Sequence, residues 1–223
     1  MWNFLFTALL LVPLRNVAFR YIVRLIVKGS KGSAHLEVER KYFLGNSDLE
    51  EVRTRIAGED FTFWGQSEMT DWFLPSHIER ELMRIRREKV GSTVANTLTV
   101  KRWVNTASGT REREESERSL GPVVTAMLLV TARFLQGSNL LSLRKNRSVY
   151  RGSLHGRNAV ISLDDARDLG RFSGPYLEVE VLADPSEDTQ DIEQSILKVG
   201  SKVTAGARLV KESYRELLDL SKR

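Results

Sequence analysis

Glu37, Glu39 and Lys41 stand two residues apart in His35-Leu36-Glu37-Val38-Glu39-Arg40-Lys41-Tyr42-Phe43-Leu44. Side chains of a β-strand alternate between faces, so these three share one face. Leu36 and Val38 take the other, which continues through Arg40, Tyr42 and Leu44. The same spacing recurs along the chain in Arg84 and Arg86, in Arg113, Glu115 and Glu117, in Lys145 and Arg147, and in Glu178 and Glu180. Lys101 follows Leu98-Thr99-Val100, and Asp164 follows Ser162-Leu163. Converging carboxylates repel one another unless they share protons or bind a cation. Several glutamates without histidine suit Mg²⁺ or Mn²⁺, held through oxygen. Converging Arg and Lys need a polyanion, and guanidinium forks match phosphate oxygens. A cavity with both sets suits a metal-complexed polyphosphate, and hence phosphoryl or nucleotidyl transfer.

A lone Glu-x-Glu or Arg-x-Arg is more often the solvated face of an antiparallel sheet. Five or six such strands in one chain, several with apolar alternate residues, argue instead for a shared hydrated interior. A closed barrel resolves the conflict of faces, because its apolar side packs under helices while its charged side lines the lumen. Arg113, Glu115 and Glu117 carry the weakest signal, since their neighbours are also charged.

The elements that must hold these residues are legible in outline. Ser47 reads as the cap of a helix over 48–57, with Glu50 completing a capping box and Gly58 ending it. Segments 61–74, 81–88, 97–103 and 111–118 read as strands. Gly121-Pro122 opens a helix over 122–136 with Val123, Met127, Val130 and Phe134 on one stripe. Strands follow over 143–150, 158–163 and 176–182, then helices over 187–199 and 207–220. About eight strands with turn signals between them predict an α+β fold: an eight-stranded antiparallel β-barrel with helices packed outside.

Composition narrows the chemistry. The 223 residues carry a formal net charge of +5 and no cysteine. Disulfides, thiolate zinc sites and a cysteine nucleophile are excluded. His35, His77 and His155 are isolated, so any metal would be a hard ion on carboxylates. The basic balance favours anionic partners without choosing among phosphates, nucleic acid and a membrane surface.

Residues 1–34 differ from the rest. No acid precedes Glu37, Trp2 to Leu14 is mostly apolar, and Arg20, Arg24 and Lys28 are spaced four apart. That pattern matches a mitochondrial-type presequence or a membrane-associating segment. It does not match a spanning helix, which needs about 20 apolar residues, because Pro13, Arg15, Arg20 and Arg24 interrupt it. The expected organisation is an extension over 1–34, with membrane association through 1–28, followed by one functional domain over 35–223. Mitochondrial localisation is the leading expectation, with a cytoplasmic or membrane-associated location as the alternative.

Taken in order, these residues resemble a known family. Glu37-Val38-Glu39-Arg40-Lys41 is similar to the ExExK signature of the CYTH superfamily, the triphosphate tunnel metalloenzymes. That group joins class IV adenylate cyclases, thiamine triphosphatases and tripolyphosphatases. The resemblance spans roughly 35–220 and includes the order of the later motifs. It implies an eight-stranded tunnel that binds a triphosphate with Mg²⁺ or Mn²⁺. It also implies Glu37, Glu39, Glu115, Glu117, Asp164, Glu178 and Glu180 as metal ligands. Lys41, Arg84, Arg86, Lys101, Arg113, Lys145 and Arg147 would hold phosphates, and Lys41 and Glu39 would act in catalysis. Lys202 or Lys211 would supply a late basic residue at the mouth. Two departures bear on substrate choice. Asp71-Trp72-Phe73-Leu74-Pro75 lacks the second acid of the usual motif, and 170–175 is long for a link into the last Glu-x-Glu strand.

The implied function is a metal-dependent triphosphatase releasing phosphate from tripolyphosphate, thiamine triphosphate or a nucleoside triphosphate. The alternative is an adenylate cyclase using the same metal site. A non-catalytic polyphosphate- or nucleotide-binding module is a third reading, and a structural β-domain with a solvated face a fourth. The partner implied is a small-molecule triphosphate, with no DNA.

Overall fold

The computed structural model describes residues 35–75, 81–105, 111–136, 140–184 and 187–222, with the upstream helical residues Phe19, Tyr21, Ile22, Val23 and Ile26. The side chains of 103–105 and 111–114 lie outside the described set. So does residue 35's side chain and most of 1–34, on which the presequence reading falls.

In chain order the described elements are β1 (His35–Phe43), α1 (Leu49–Gly58), β2 (Thr62–Phe73), β3 (Glu81–Val90), β4 (Thr93–Asn105) and β5 (Arg111–Leu120). Then come α2 (Pro122–Gln136), β6 (Leu141–Leu154), β7 (Arg157–Arg167), β8 (Gly174–Ala183), α3 (Gln190–Thr204), β9 (Arg208–Val210) and α4 (Tyr214–Ser221). The strands form one antiparallel sheet of 9 strands, in the order β5-β4-β3-β2-β6-β7-β8-β1-β9. An α+β fold dominated by an antiparallel sheet is therefore present, with nine strands where eight were expected.

The ninth strand corrects the reading of 207–220 as one helix. Only three residues, Arg208 to Val210, extend and pair with Lys41 to Phe43. A strand that short has no period to detect. The helix starts later, at Tyr214, behind a capping box in which the Ser213 side chain and Glu216 exchange bonds with each other's backbone. At α1 the cap is Asp48, whose carboxylate accepts from the Glu50 N–H at 2.9 Å. Ser47 instead donates to the Leu44 carbonyl at 2.6 Å.

β1 is paired along both edges. One edge pairs with β8 from Leu36↔Ala183 to Phe43↔Tyr176. The other edge is divided: β5 takes His35 to Glu37, and β9 takes Lys41 to Phe43. β5 opens the strand order, yet it pairs with β1 near the far end.

The apolar faces of the strands pack outward under helices. Leu36, Val38 and Tyr42 join Ile161, Val179 and Val181 beneath Ile192, Ile196 and Val203 of α3. Gly200 permits this approach, because a Cβ there would overlap the Tyr42 ring. Arg40, on the same face, donates to Glu193 of α3 at 3.2 Å. Elsewhere Met83, Ile85, Leu98 and Val100 pack with Leu128 and Ala132 of α2. The α2 stripe of Val123, Met127, Val130 and Phe134 points the other way, outward.

Phe19 and Val23 are buried in that same α2 cluster. Phe19→Ala should therefore lower stability by about 3–5 kcal/mol, the cost of emptying a packed aromatic site. A thermal or denaturant melt checks this; an unchanged midpoint would show that the upstream helix is not docked on β3 and β4.

Candidate functional site

The inward faces of the strands line a cavity of ≈ 450 Å³. Glu37, Glu39 and Lys41 reach it from β1, Asp71 from β2, Arg84 and Arg86 from β3, and Lys101 from β4. Glu115 and Glu117 come from β5, Lys145 and Arg147 from β6, and Glu178 and Glu180 from β8. Period-two alternation explains the gathering: each strand sends its odd or even set inward while the other set packs under a helix.

Asp164 is fully buried behind this lining and anchors its basic part. It accepts from Lys145 Nζ at 2.7 Å, from Arg147 Nε at 2.6 Å and from the Tyr214 hydroxyl at 2.9 Å. Arg147 also donates to Glu178 at 2.5 Å. Lys41 lies 3.2 Å from Glu178 and 3.9 Å from Glu39. Burial pushes the Asp164 and Glu178 carboxyls upward, but their cations outweigh it and hold both below the ordinary range, Glu178 well below. Lys145 is brought down to about 8 by burial first, then by Arg147 and Arg86, against the pull of Asp164.

A second ion-pair group lies on β2 and β3. Arg86 meets Asp71 with two bonds, at 2.8 and 2.9 Å, and Arg84 lies 3.6 Å from the same carboxylate. Arg84 also donates to Thr99 at 3.4 Å, and Thr99 donates to Glu117 at 2.9 Å.

The remaining wall is acidic. Glu39 and Glu180 are direct cross-strand partners of β1 and β8. Like charges placed opposite each other destabilise a sheet. Lys101 offsets part of this charge, bonding Glu37 at 2.6 Å and lying 2.8 Å from Glu115. Burial raises the Glu180 carboxyl to about 8, helped by Glu37, Glu39 and Glu115. The wall thus has a surplus of negative charge among oxygen donors alone, which fits a hard divalent cation. Among the described residues no three acidic groups converge closely enough to form a ready-made ligand cage.

Twelve of the residues singled out from spacing meet in this cavity: Glu37, Glu39, Lys41, Arg84, Arg86, Lys101, Glu115, Glu117, Lys145, Arg147, Glu178 and Glu180. They separate into roles that spacing did not predict. Glu178 and Asp164 sit among cations, whereas Glu180, Glu37, Glu39 and Glu115 form the acidic wall. Arg113 pairs through its backbone with Glu37, and its side chain lies outside the described residues. Lys202 is on the outer surface, bonded to Glu59 at 3.0 Å. Lys211 is also exposed and does not line the cavity. Arg215 of α4 lines the cavity instead.

Asp71, Tyr214 and Arg215 were missed as site residues. Asp71 shares the alternation of Met69 and Phe73, which was a usable signal. Tyr214 looked like part of an apolar helical stripe, yet its ring lies 4.1 Å from Lys41 Nζ and 4.8 Å from Lys145 Nζ. Burial, then Asp164 and Glu178, keep its hydroxyl well above the usual titration range, so it stays a donor.

A family model described as CYTH domain matches residues 35–208. No curated protein matches the chain. Among solved structures, the PH1819 protein of Pyrococcus horikoshii OT3 is similar at 25% identity and a TM-score of 0.59, covering 84% of this chain and 99% of its own. A Pyrococcus furiosus protein is similar at 20% identity and TM-score 0.59, covering 81% and 99%. HpAC1 of Hippeastrum, named for adenylyl cyclase and for a dominant triphosphatase activity, shares the fold at 14% identity and TM-score 0.52, covering 83% and 95%.

Two outcomes test this geometry. Asp71→Asn leaves Arg84 and Arg86 buried without their carboxylate and should cost about 3–5 kcal/mol in a denaturant melt; a change within error would show that the pair is not structural. The folded-state value of Glu180, about 8, lies above its ordinary 4.5. Its stabilising contribution is therefore complete below the lower value and lost as pH rises through the higher one. In chelator the melting temperature should fall across that window, and Glu180→Gln should flatten the slope. An identical slope in the variant would remove Glu180 as the cause.

Proposed function

This chain belongs to the CYTH domain family, and on that premise we propose that it is a divalent-metal-dependent triphosphatase. The observation that carries the reading is the opposition of Glu39 and Glu180 inside one cavity with Arg84, Arg86, Lys145 and Arg147. An acidic wall beside a basic one matches a metal-complexed chain of phosphates. The pairing of β5 with β1 supports taking β1 to β8 as a tunnel, with β9 as an outer addition. The dominant triphosphatase activity named for the Hippeastrum protein is in keeping with this, as a likeness of fold. Substrates of this class are tripolyphosphate, thiamine triphosphate and nucleoside triphosphates.

Glu37, Glu39, Glu115 and Glu180 would hold Mg²⁺ or Mn²⁺, with Glu117 beside them. When bound, the ion supplies neutralisation of charge on the phosphoryl oxygens. The guanidinium forks of Arg84, Arg86 and Arg147 grip the phosphate oxygens and fix their orientation. Asp164 positions Lys145 and Arg147 and does not need to meet the ligand. Hydrolysis joins a water oxygen to the terminal phosphorus, breaks the bridging P–O bond and releases a proton. Lys145, held as an ammonium by Asp164, would face the phosphate chain as a donor, and the released proton would pass to solvent. Lys41, steadied between Glu39, Glu178 and the Tyr214 ring, is suited to orient the water.

Purified protein should release phosphate from one of the three substrate types when Mg²⁺ or Mn²⁺ is added, and cease in chelator. Glu39→Gln should lower turnover on the order of a hundredfold or more while leaving the melt intact. Unchanged turnover in that variant would sink the assignment. Cyclic AMP with pyrophosphate would make the protein a cyclase, and binding without turnover would make it a binding module.

A further inference from the structure

Two long stretches of the sequence contain no acidic residue, 1–36 and 118–163. Parts of both meet on one side of the molecule. Phe19 and Val23 from the first stretch, and Leu128 and Ala132 of α2 from the second, are buried together against β3 and β4. With their inner faces occupied, both elements turn other residues outward. On α2, Val123, Met127 and Val130 recur at helical spacing and are 70%, 66% and 69% exposed. On the upstream helix Tyr21 and Ile22 are also exposed. An exposed apolar stripe along a helix of this kind marks an interaction site.

The chain leading into that surface says what covers it. In sequence, residues 1–18 lead into Phe19, which is buried in that layer, and Trp2 to Leu14 is mostly apolar. Arg15, Arg20, Arg24, Lys28 and Lys31 follow with no acid among them. A segment that merely folded back over α2 would satisfy the apolar stripe, and nothing in that role selects against acids. A bilayer with anionic headgroups does both: it accepts the apolar side chains and excludes nearby carboxylates. An apolar segment together with a basic cluster also provides the two signals that stable peripheral attachment requires. No described helix is long and apolar enough to cross a membrane. We propose that the outer face of α2 docks this protein on the surface of an anionic phospholipid bilayer.

The full chain is mixed with phosphatidylcholine vesicles, with and without about a third phosphatidylglycerol, and recovered by sedimentation. It should pellet with the mixed vesicles, and high salt should weaken the binding. Met127→Glu with Val130→Glu should lower partitioning on the order of tenfold or more without moving the melting temperature. Val123→Glu provides a second variant, since an acid at the start of a helix is favourable there; it should also reduce binding. Met127→Leu with Val130→Ile should bind like the parent. The proposal is overturned if the full chain stays in the supernatant with mixed vesicles. It is also overturned if the charged variants bind unchanged, or if the face proves to hold two copies of the chain together in solution without vesicle binding.

Discussion

Asp164 is fully buried and accepts from Lys145, Arg147 and Tyr214. Without that carboxylate, two cations would stand in the interior with Glu178 as their chief remaining counter-charge. A buried charge is tolerated when it is paired and hydrogen-bonded, and breaking such a pair is far costlier than never having made it. Removing the Asp164 carboxylate alone would therefore leave buried cations short of their counter-charge. The same carboxylate also explains why Tyr214 of α4 belongs to the interior: its hydroxyl completes the set of donors, while its ring faces the ammonium groups of Lys41 and Lys145.

The two walls of the cavity differ in how fully they are satisfied. On the basic side every lining cation has a carboxylate within reach, as with Arg86 on Asp71 and Arg147 on Asp164 and Glu178. On the acidic side Glu39 and Glu180 are cross-strand partners, and Glu37, Glu39, Glu115 and Glu180 share Lys101, Lys41 at 3.9 Å from Glu39 and Arg84 at 4.0 Å from Glu115. A sheet selected for stability alone would place an opposite charge at one of those positions. Local rules are broken where a protein holds something for its work. The basic wall holds its donors in place through paired carboxylates, while the acidic wall gathers four carboxylates that suit the proposed cation.

Much of this was legible because strand alternation is a strict period. Glu37, Glu39 and Lys41 had to share a face, and their apolar alternates had to find a helix. The same logic located Lys145, Arg147, Glu178 and Glu180. What alternation cannot supply is which strands become neighbours, and so which charges meet. Glu178 and Glu180 looked equivalent, yet cross-strand register places one opposite Lys41 and the other opposite Glu39. Tyr214 escaped because its contacts cross from a helix to three strands far away in the chain. β9 escaped because three residues carry no pattern, and the outward turn of the α2 stripe escaped because a helical period does not say which side meets the sheet.

The divided edge of β1 has a consequence for what the chain can tolerate. Its ladders to β5, β8 and β9 all specify the same alignment, and two of them flank the carboxylates directly. Sliding by one position would send Leu36 and Val38 into the charged interior and turn Glu37 and Glu39 toward α3. Insertions and deletions are thus forbidden across this strand, while the hairpin tips at Gly91 and Gly156 can lengthen freely. A change in length is best absorbed at the hairpin tips, because three ladders agree about one strand.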